Sequence, residues 1–204
     1  MKDFLLAAAF TAWGSPFTWL EILAFTLSIA MVLGNMRQWL AAWPLAAAAS
    51  LLYGLLFWEG KLYGEAVLQL FFVAMAAWGF AQWWRGRAQR ALTVRRMDGR
   101  AWAASLGAIA LAWPLLGWWL DRYTDSPLPY WDALPTVASV VATVQLGRKF
   151  IENWAFWVAV NAISIFLFAL KAYWLTVLLY AAFIPLALWG WREWARAERA
   201  HQPA

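Results

Sequence analysis

The run Asn153-Trp154-Ala155-Phe156-Trp157-Val158-Ala159-Val160-Asn161 sets two tryptophans and a carboxamide inside apolar sequence. Trp157 precedes Asn161 by four residues, so a helix puts both side chains on one face. An indole beside a carboxamide can stack a flat ring and hydrogen-bond its edge. If that ring is cationic, cation–π attraction adds to the stacking. Trp154 and Trp157 are the stacking candidates. Asn161 carries two donors and an acceptor, and burying it costs free energy unless they are met. A bound ligand would meet them. A hydrogen bond to a neighbouring helix is the alternative.

Other chemistry is missing from the chain. It has no cysteine, which excludes disulfides and thiolate nucleophiles, and its one histidine, His201, is in the tail. No His/Cys/carboxylate cluster has metal-ligand spacing, and no cofactor is expected. Gly54–Leu62 lacks the spacing of a phosphate loop, and Leu62 stands where such a loop needs a hydroxyl. Glu21, Asp132 and Glu152 fall in first turns, where the helix dipole favours acids, and no carboxylate lies mid-span for a proton relay. These absences argue against a pump and against a membrane enzyme. A passive carrier remains, or one coupled to an ion held by neutral oxygens.

The elements that position these residues follow from composition. The chain of 204 residues is 65% hydrophobic and 13% charged, against about 25% charged in soluble domains. Seven apolar runs are long enough to span a bilayer: 17–36, 40–58, 63–84, 102–120, 131–149, 153–170 and 173–193. Residues 4–13 are too short to span and read as an interfacial lead-in. Arg85, Arg87, Arg90, Arg95, Arg96 and Arg100 fill the loop after the third run. Arg37, Arg148, Lys149, Arg192, Arg196 and Arg199 fall on the same side, while Lys61, Arg122 and Lys171 fall opposite. This bias places the basic loop and the C-terminus in the cytoplasm and the N-terminus outside. The +5 net charge is thereby a topology signal with contact to anionic lipid, and no nucleic-acid partner is implied.

Residues 15–84 align without a gap on residues 126–195. Identical pairs include Ser15/Ser126, Pro16/Pro127, Ser28/Ser139, Arg37/Arg148, Trp43/Trp154, Phe72/Phe183, Gly79/Gly190 and Trp83/Trp194. Each copy holds three spans, and one span links them. The expected fold is an all-α membrane protein of seven transmembrane helices, two parallel three-helix repeats joined by a linking helix. In residue numbers this gives a lead-in (1–16), first repeat (17–84), basic loop (85–101), linking helix (102–120), second repeat (121–195) and tail (196–204). Parallel-repeat carriers bind substrate near the midplane, where the repeats meet. The alignment pairs the intramembrane polar residues as Ser28/Ser139, Ser50/Asn161, Tyr53/Ser164 and Gln69/Tyr180. These pairs are expected to line a substrate path. For the serines, a bond to the i−4 carbonyl is the alternative use.

Residues 129–170 resemble the fifth and sixth spans of the bacterial Pnu vitamin transporters. The shared features are the Trp131-Asp132 entry, the run from Arg148 and Lys149 through Glu152, Asn153, Trp154 and Trp157 to Asn161, and the Ile-Ser that follows. The first half carries a similar stretch from Lys61 to Phe72 that includes Gln69. The resemblance implies a 3+1+3 fold similar to SWEET sugar carriers. It also implies facilitated diffusion of an unphosphorylated vitamin, chiefly nicotinamide riboside. A cytoplasmic kinase would trap that vitamin without necessarily binding the carrier. The resemblance places Trp154, Trp157, Asn161, Gln69 and Tyr180 in the family pattern. Where members for nicotinamide riboside often show Gly-x-x-Asn in the second span, this chain has Ala46–Ala49 followed by Ser50. Thiamine and riboflavin therefore stay open as substrates. A homo-oligomer is compatible with the sequence, and a membrane scaffold or receptor without transport is the reading from another class.

Overall fold

The structure, a computed structural model, describes residues 2–12, 15–59, 63–89, 93–170 and 174–200. Lys61, Arg90, Lys171 and His201 lie outside the described residues. The chain forms two compact units, residues 1–88 and 89–204.

In the first unit the expected lead-in is a short helix α1 (Lys2–Leu6) followed by an antiparallel hairpin of β1 (Ala8–Ala12) and β2 (Ser15–Thr18). Apart from this hairpin, every named element among the described residues is a helix, in keeping with the all-α expectation. Its last residue, Thr18, also caps α2 (Trp19–Met36). The Glu21 N–H donates to Thr18 Oγ1 at 3.2 Å, and the Thr18 N–H donates back to Glu21 Oε2 at 2.8 Å. This reciprocal pair satisfies two amides that a helix start otherwise leaves open. Helices α3 (Ala42–Glu59) and α4 (Tyr63–Gln89) complete the unit. Pro44 sits in the first turn of α3, where its missing N–H costs nothing.

The second unit holds α5 (Gly99–Tyr123), α6 (Pro129–Gly147), α7 (Asn153–Leu170) and α8 (Trp174–Ala200). Helix α4 extends past Arg85 and α5 begins at Gly99, so helix ends occupy part of the expected basic loop. Helix α8 likewise runs into the expected tail. Pro114 and Pro185 are inside α5 and α8. Among the described residues, α2, α5 and α7 each have the length and apolar character needed to cross a membrane.

The repeat recurs in backbone detail. Gln38 and Lys149 are aligned positions, and they have φ of 55° and 56°. Each is the left-handed residue of a Schellman ending. Trp39 N–H donates to Gly34 O at 2.8 Å, and Phe150 N–H donates to Gln145 O at 3.0 Å. One residue earlier, Gln38 N–H donates to Asn35 O and Lys149 N–H to Leu146 O. Two different sequences thus turn between helices through the same hydrogen bonds.

The side chains repeat as well. Trp43 lies over Gly79, and Trp154 lies over Gly190. A methyl group at either glycine would overlap the indole. Trp43 meets Trp83 edge-on at 5.4 Å and 89°, and Trp154 meets Trp194 at 5.6 Å and 89°. Within each unit the second and third helices of the repeat are keyed by one indole seated on a glycine. The linking helix is keyed differently. Gly117 of α5 accepts the Tyr130 ring, and Trp113 Nε1 donates to Tyr130 O at 2.6 Å.

Candidate substrate-binding site

Helix α7 presents Trp154, Trp157, Asn161 and Ser164 on one stripe, spaced three, four and three residues apart. At about 1.5 Å per residue the stripe is roughly 15 Å long. Asn161 is 4% exposed, and its carboxamide has no hydrogen-bond partner among the described residues. Ser164 is also buried, and Trp157 is half-buried.

Trp154 differs from its neighbour on the stripe. It is 3% exposed, with its indole against Gly190 and Trp194. In this conformation the ring packs in the core of the unit and leaves no face for a ligand. Trp157, one turn on, retains exposure. The two indoles of the motif thus have separate surroundings despite their spacing.

Helices α6 and α7 form an antiparallel pair about the turn at residues 148–152. Ser139 stands nine residues before that turn and Asn161 nine after it, roughly 13 Å along each helix, so the two share a depth. Ser139 is buried. Its carbonyl accepts from Thr143 Oγ1 at 2.8 Å, and its own hydroxyl bonds no described residue. On α8, Tyr180 is half-buried, stacked on Phe168 at 5.4 Å and edge-on to Phe183 at 6.4 Å.

In the first unit Ser28 donates to Ala24 O at 2.9 Å, so its hydroxyl is satisfied within its own helix. Ser50 and Tyr53 are half-buried on α3, and Tyr53 stacks on Phe57 at 6.0 Å. Gln69 on α4 is half-buried and lies against Gly54, where a Cβ would come 3.4 Å from that of Gln69.

Several buried polar residues escaped the sequence reading. Asn153 is fully buried, and its Nδ2 donates to Phe150 O at 2.6 Å. Gln145 is buried and donates to Ser105 Oγ at 3.1 Å. Glu152, expected as a dipole-favoured acid, is buried and accepts from Met97 N–H at 3.0 Å. The repeat pairs Asn153 with Ala42, Gln145 with Gly34 and Glu152 with Ala41. A search that matches polar with polar passes over them. The motif from Arg148 to Asn161 is therefore divided. Its first half builds the turn, and its second half carries the stripe. Among the described residues no cluster could hold a metal ion.

Comparison with known proteins agrees with this architecture. Residues 18–196 match the family model described as nicotinamide mononucleotide transporter. The nicotinamide riboside transporter PnuC of Escherichia coli is 29% identical, covering 72% of this chain and 73% of its own. The riboflavin/roseoflavin transporter RibM of Streptomyces davaonensis is 27% identical, covering 98% and 96%. A crystal structure of the vitamin B3 transporter PnuC matches with a TM-score of 0.75 at 25% identity, over 90% of this chain and 83% of that one. These relatives are transporters and not enzymes. The chain belongs to the nicotinamide mononucleotide transporter family, as a multi-pass bacterial membrane protein that transports a vitamin.

Proposed function

We propose that the chain takes up a flat heteroaromatic vitamin, with nicotinamide riboside as the leading substrate. The carrying observation is Asn161, buried with no partner among the described residues, on the same face of α7 as the half-buried Trp157. Trp157 stacks the ring, and Asn161 bonds its amide or the ribose. Ser164, Ser139 and Tyr180 line the same unit's path, while Trp154 supports the stripe from behind. In the first unit Gln69, Ser50, Tyr53 and Ser28 are put forward by themselves, Gln69 first because it carries a carboxamide.

In this reading seven helices span the inner membrane as 3+1+3. The basic loop and C-terminus face the cytoplasm and the N-terminus faces outside. Uptake is facilitated diffusion by alternating access, and a cytoplasmic kinase phosphorylates the vitamin and traps it. The E. coli relative's name supports nicotinamide riboside. RibM, which aligns over nearly all of both chains, supports riboflavin as the second reading.

Calorimetric titration of the detergent-purified protein with nicotinamide riboside, riboflavin and thiamine tests this, with Asn161→Leu in parallel. One ligand is expected to bind and to lose at least about tenfold affinity in the variant, as for a buried hydrogen bond left unmade. Binding that survives Asn161→Leu would remove the stripe from the site. No binding by folded protein would favour a scaffold.

A further inference from the structure

The chain between α4 and α5 is not a free loop where it reaches the second unit. Arg95 N–H donates to Lys149 O at 3.1 Å, and Ile151 N–H donates to Arg95 O at 3.0 Å, a parallel bridge between Arg95 and Phe150. The Arg95 guanidinium stands 4.5 Å above the Phe150 ring. Met97 N–H donates to the Glu152 carboxylate at 3.0 Å. Arg96 lies 3.6 Å from Glu198 near the end of α8. Val94, Met97, Phe150 and Ile151 are all buried. Asp98 then caps α5 by accepting from Ala101 N–H at 2.7 Å. Four residues of extended chain thus fasten the α6–α7 turn, the end of α8 and the start of α5.

The turn does not need this strap in order to form. Its counterpart in the first unit has the same left-handed residue and the same hydrogen bonds. There Trp39 stands where Phe150 stands and is 53% exposed, with Arg37 of its own turn 5.3 Å over the ring. Ala41 stands where Glu152 stands. The buried carboxylate therefore serves something beyond the turn's geometry.

We propose that Val94–Met97 is a strap that stays closed throughout the transport cycle, and that Glu152, its clasp, is a positioning residue for α7. This rests on the transporter reading. Closed, the strap holds four residues of the chain that joins the first unit to α5. Releasing it would add four residues, about 13 Å of extended reach. A short connection passes movement of α4 directly to the start of α7, the helix that carries Trp157 and Asn161. A long one lets that movement dissipate. The strap should therefore set turnover and leave equilibrium binding alone.

The chain has no cysteine, so Arg95→Cys with Phe150→Cys gives one defined disulfide, and bridge partners are near enough to form it. This pair, Glu152→Leu and Glu152→Gln would be compared with the parent for Kd by calorimetry and for KM and Vmax in proteoliposomes. The probes are nicotinamide riboside and riboflavin. The oxidised pair is expected to transport within about twofold of the parent, since a strap that never opens is not hindered by a lock. Glu152→Leu is expected to lose about tenfold in Vmax with Kd little changed, and Glu152→Gln, which keeps an acceptor for Met97 N–H, to retain most of it.

Arrest by the disulfide with recovery on reduction would mean that the strap opens, overturning the proposal. So would parental Vmax in Glu152→Leu, equal loss in Glu152→Gln, or an affinity that falls with Vmax. If Glu152→Leu does not fold, the locked pair decides alone. A parent that takes up neither probe fails the transporter reading itself. A parent that transports, with strap variants at its rate, fails only the strap.

Discussion

The two units solve the same packing problem twice and then diverge in their buried and half-buried polar residues. Trp43 on Gly79 with Trp83 edge-on is matched, within 0.2 Å of ring separation and at the same 89°, by Trp154 on Gly190 with Trp194. The Schellman endings at Gln38 and Lys149 agree to 1° in φ. The polar residues do not agree. The first unit has a hydroxyl at Ser50, a phenol at Tyr53 and a carboxamide at Gln69. The second has the carboxamide at Asn161, the hydroxyl at Ser164 and the phenol at Tyr180. The same three functional groups are redistributed over three aligned positions. Close packing tolerates little change in volume, so the frame is retained. The polar positions take no part in either indole–glycine contact, so they can be reassigned without disturbing it.

The frame should break first and hardest. Trp154→Ala is expected to cost about 3–5 kcal/mol, and Trp43→Ala a similar amount, because each leaves an indole-sized cavity beside a glycine. Thermal unfolding in detergent, with ligand absent, measures both. Unequal losses would mean that the two frames are alike in geometry only.

Gly190→Ala sharpens the same point from the other side. Its Cβ would fall 2.6 Å from the Trp154 ring, and overpacking of this kind costs about 1–3 kcal/mol. Gly54→Ala is the control, with its nearest neighbour at an ordinary 3.4 Å. Gly54→Ala should leave the melting temperature nearly unchanged.

Asn161→Leu should act in the opposite sense on stability while it removes binding. Replacing a carboxamide that has no described partner with an apolar side chain of similar size is expected to be neutral or to stabilise by about 1 kcal/mol at most. A large destabilisation would show that Asn161 holds helices together. At the small end, Ser28→Ala removes only a bond within its own helix and should change stability by about 0.5 kcal/mol or less. Ser139→Ala, at the aligned position, loses a hydroxyl without a described partner, and uptake rather than stability should register it.

Much of this was legible in the sequence because it depends on local period and on copying. Apolar run length marks helices in a bilayer. Ungapped identity marks a repeat whose packing cannot drift independently. The four-residue step from Trp157 to Asn161 fixes a shared face whatever surrounds it. What only the tertiary structure decided depends on distant partners. Trp154 and Trp157 look equivalent in the motif, yet Gly190 and Trp194, far along the chain, enclose the first. Glu152 reads as one more first-turn acid until Met97, 55 residues before it, arrives as its donor. The strap is made largely by backbone N–H and C=O groups, which every residue but proline carries in full, so no side-chain pattern announces it.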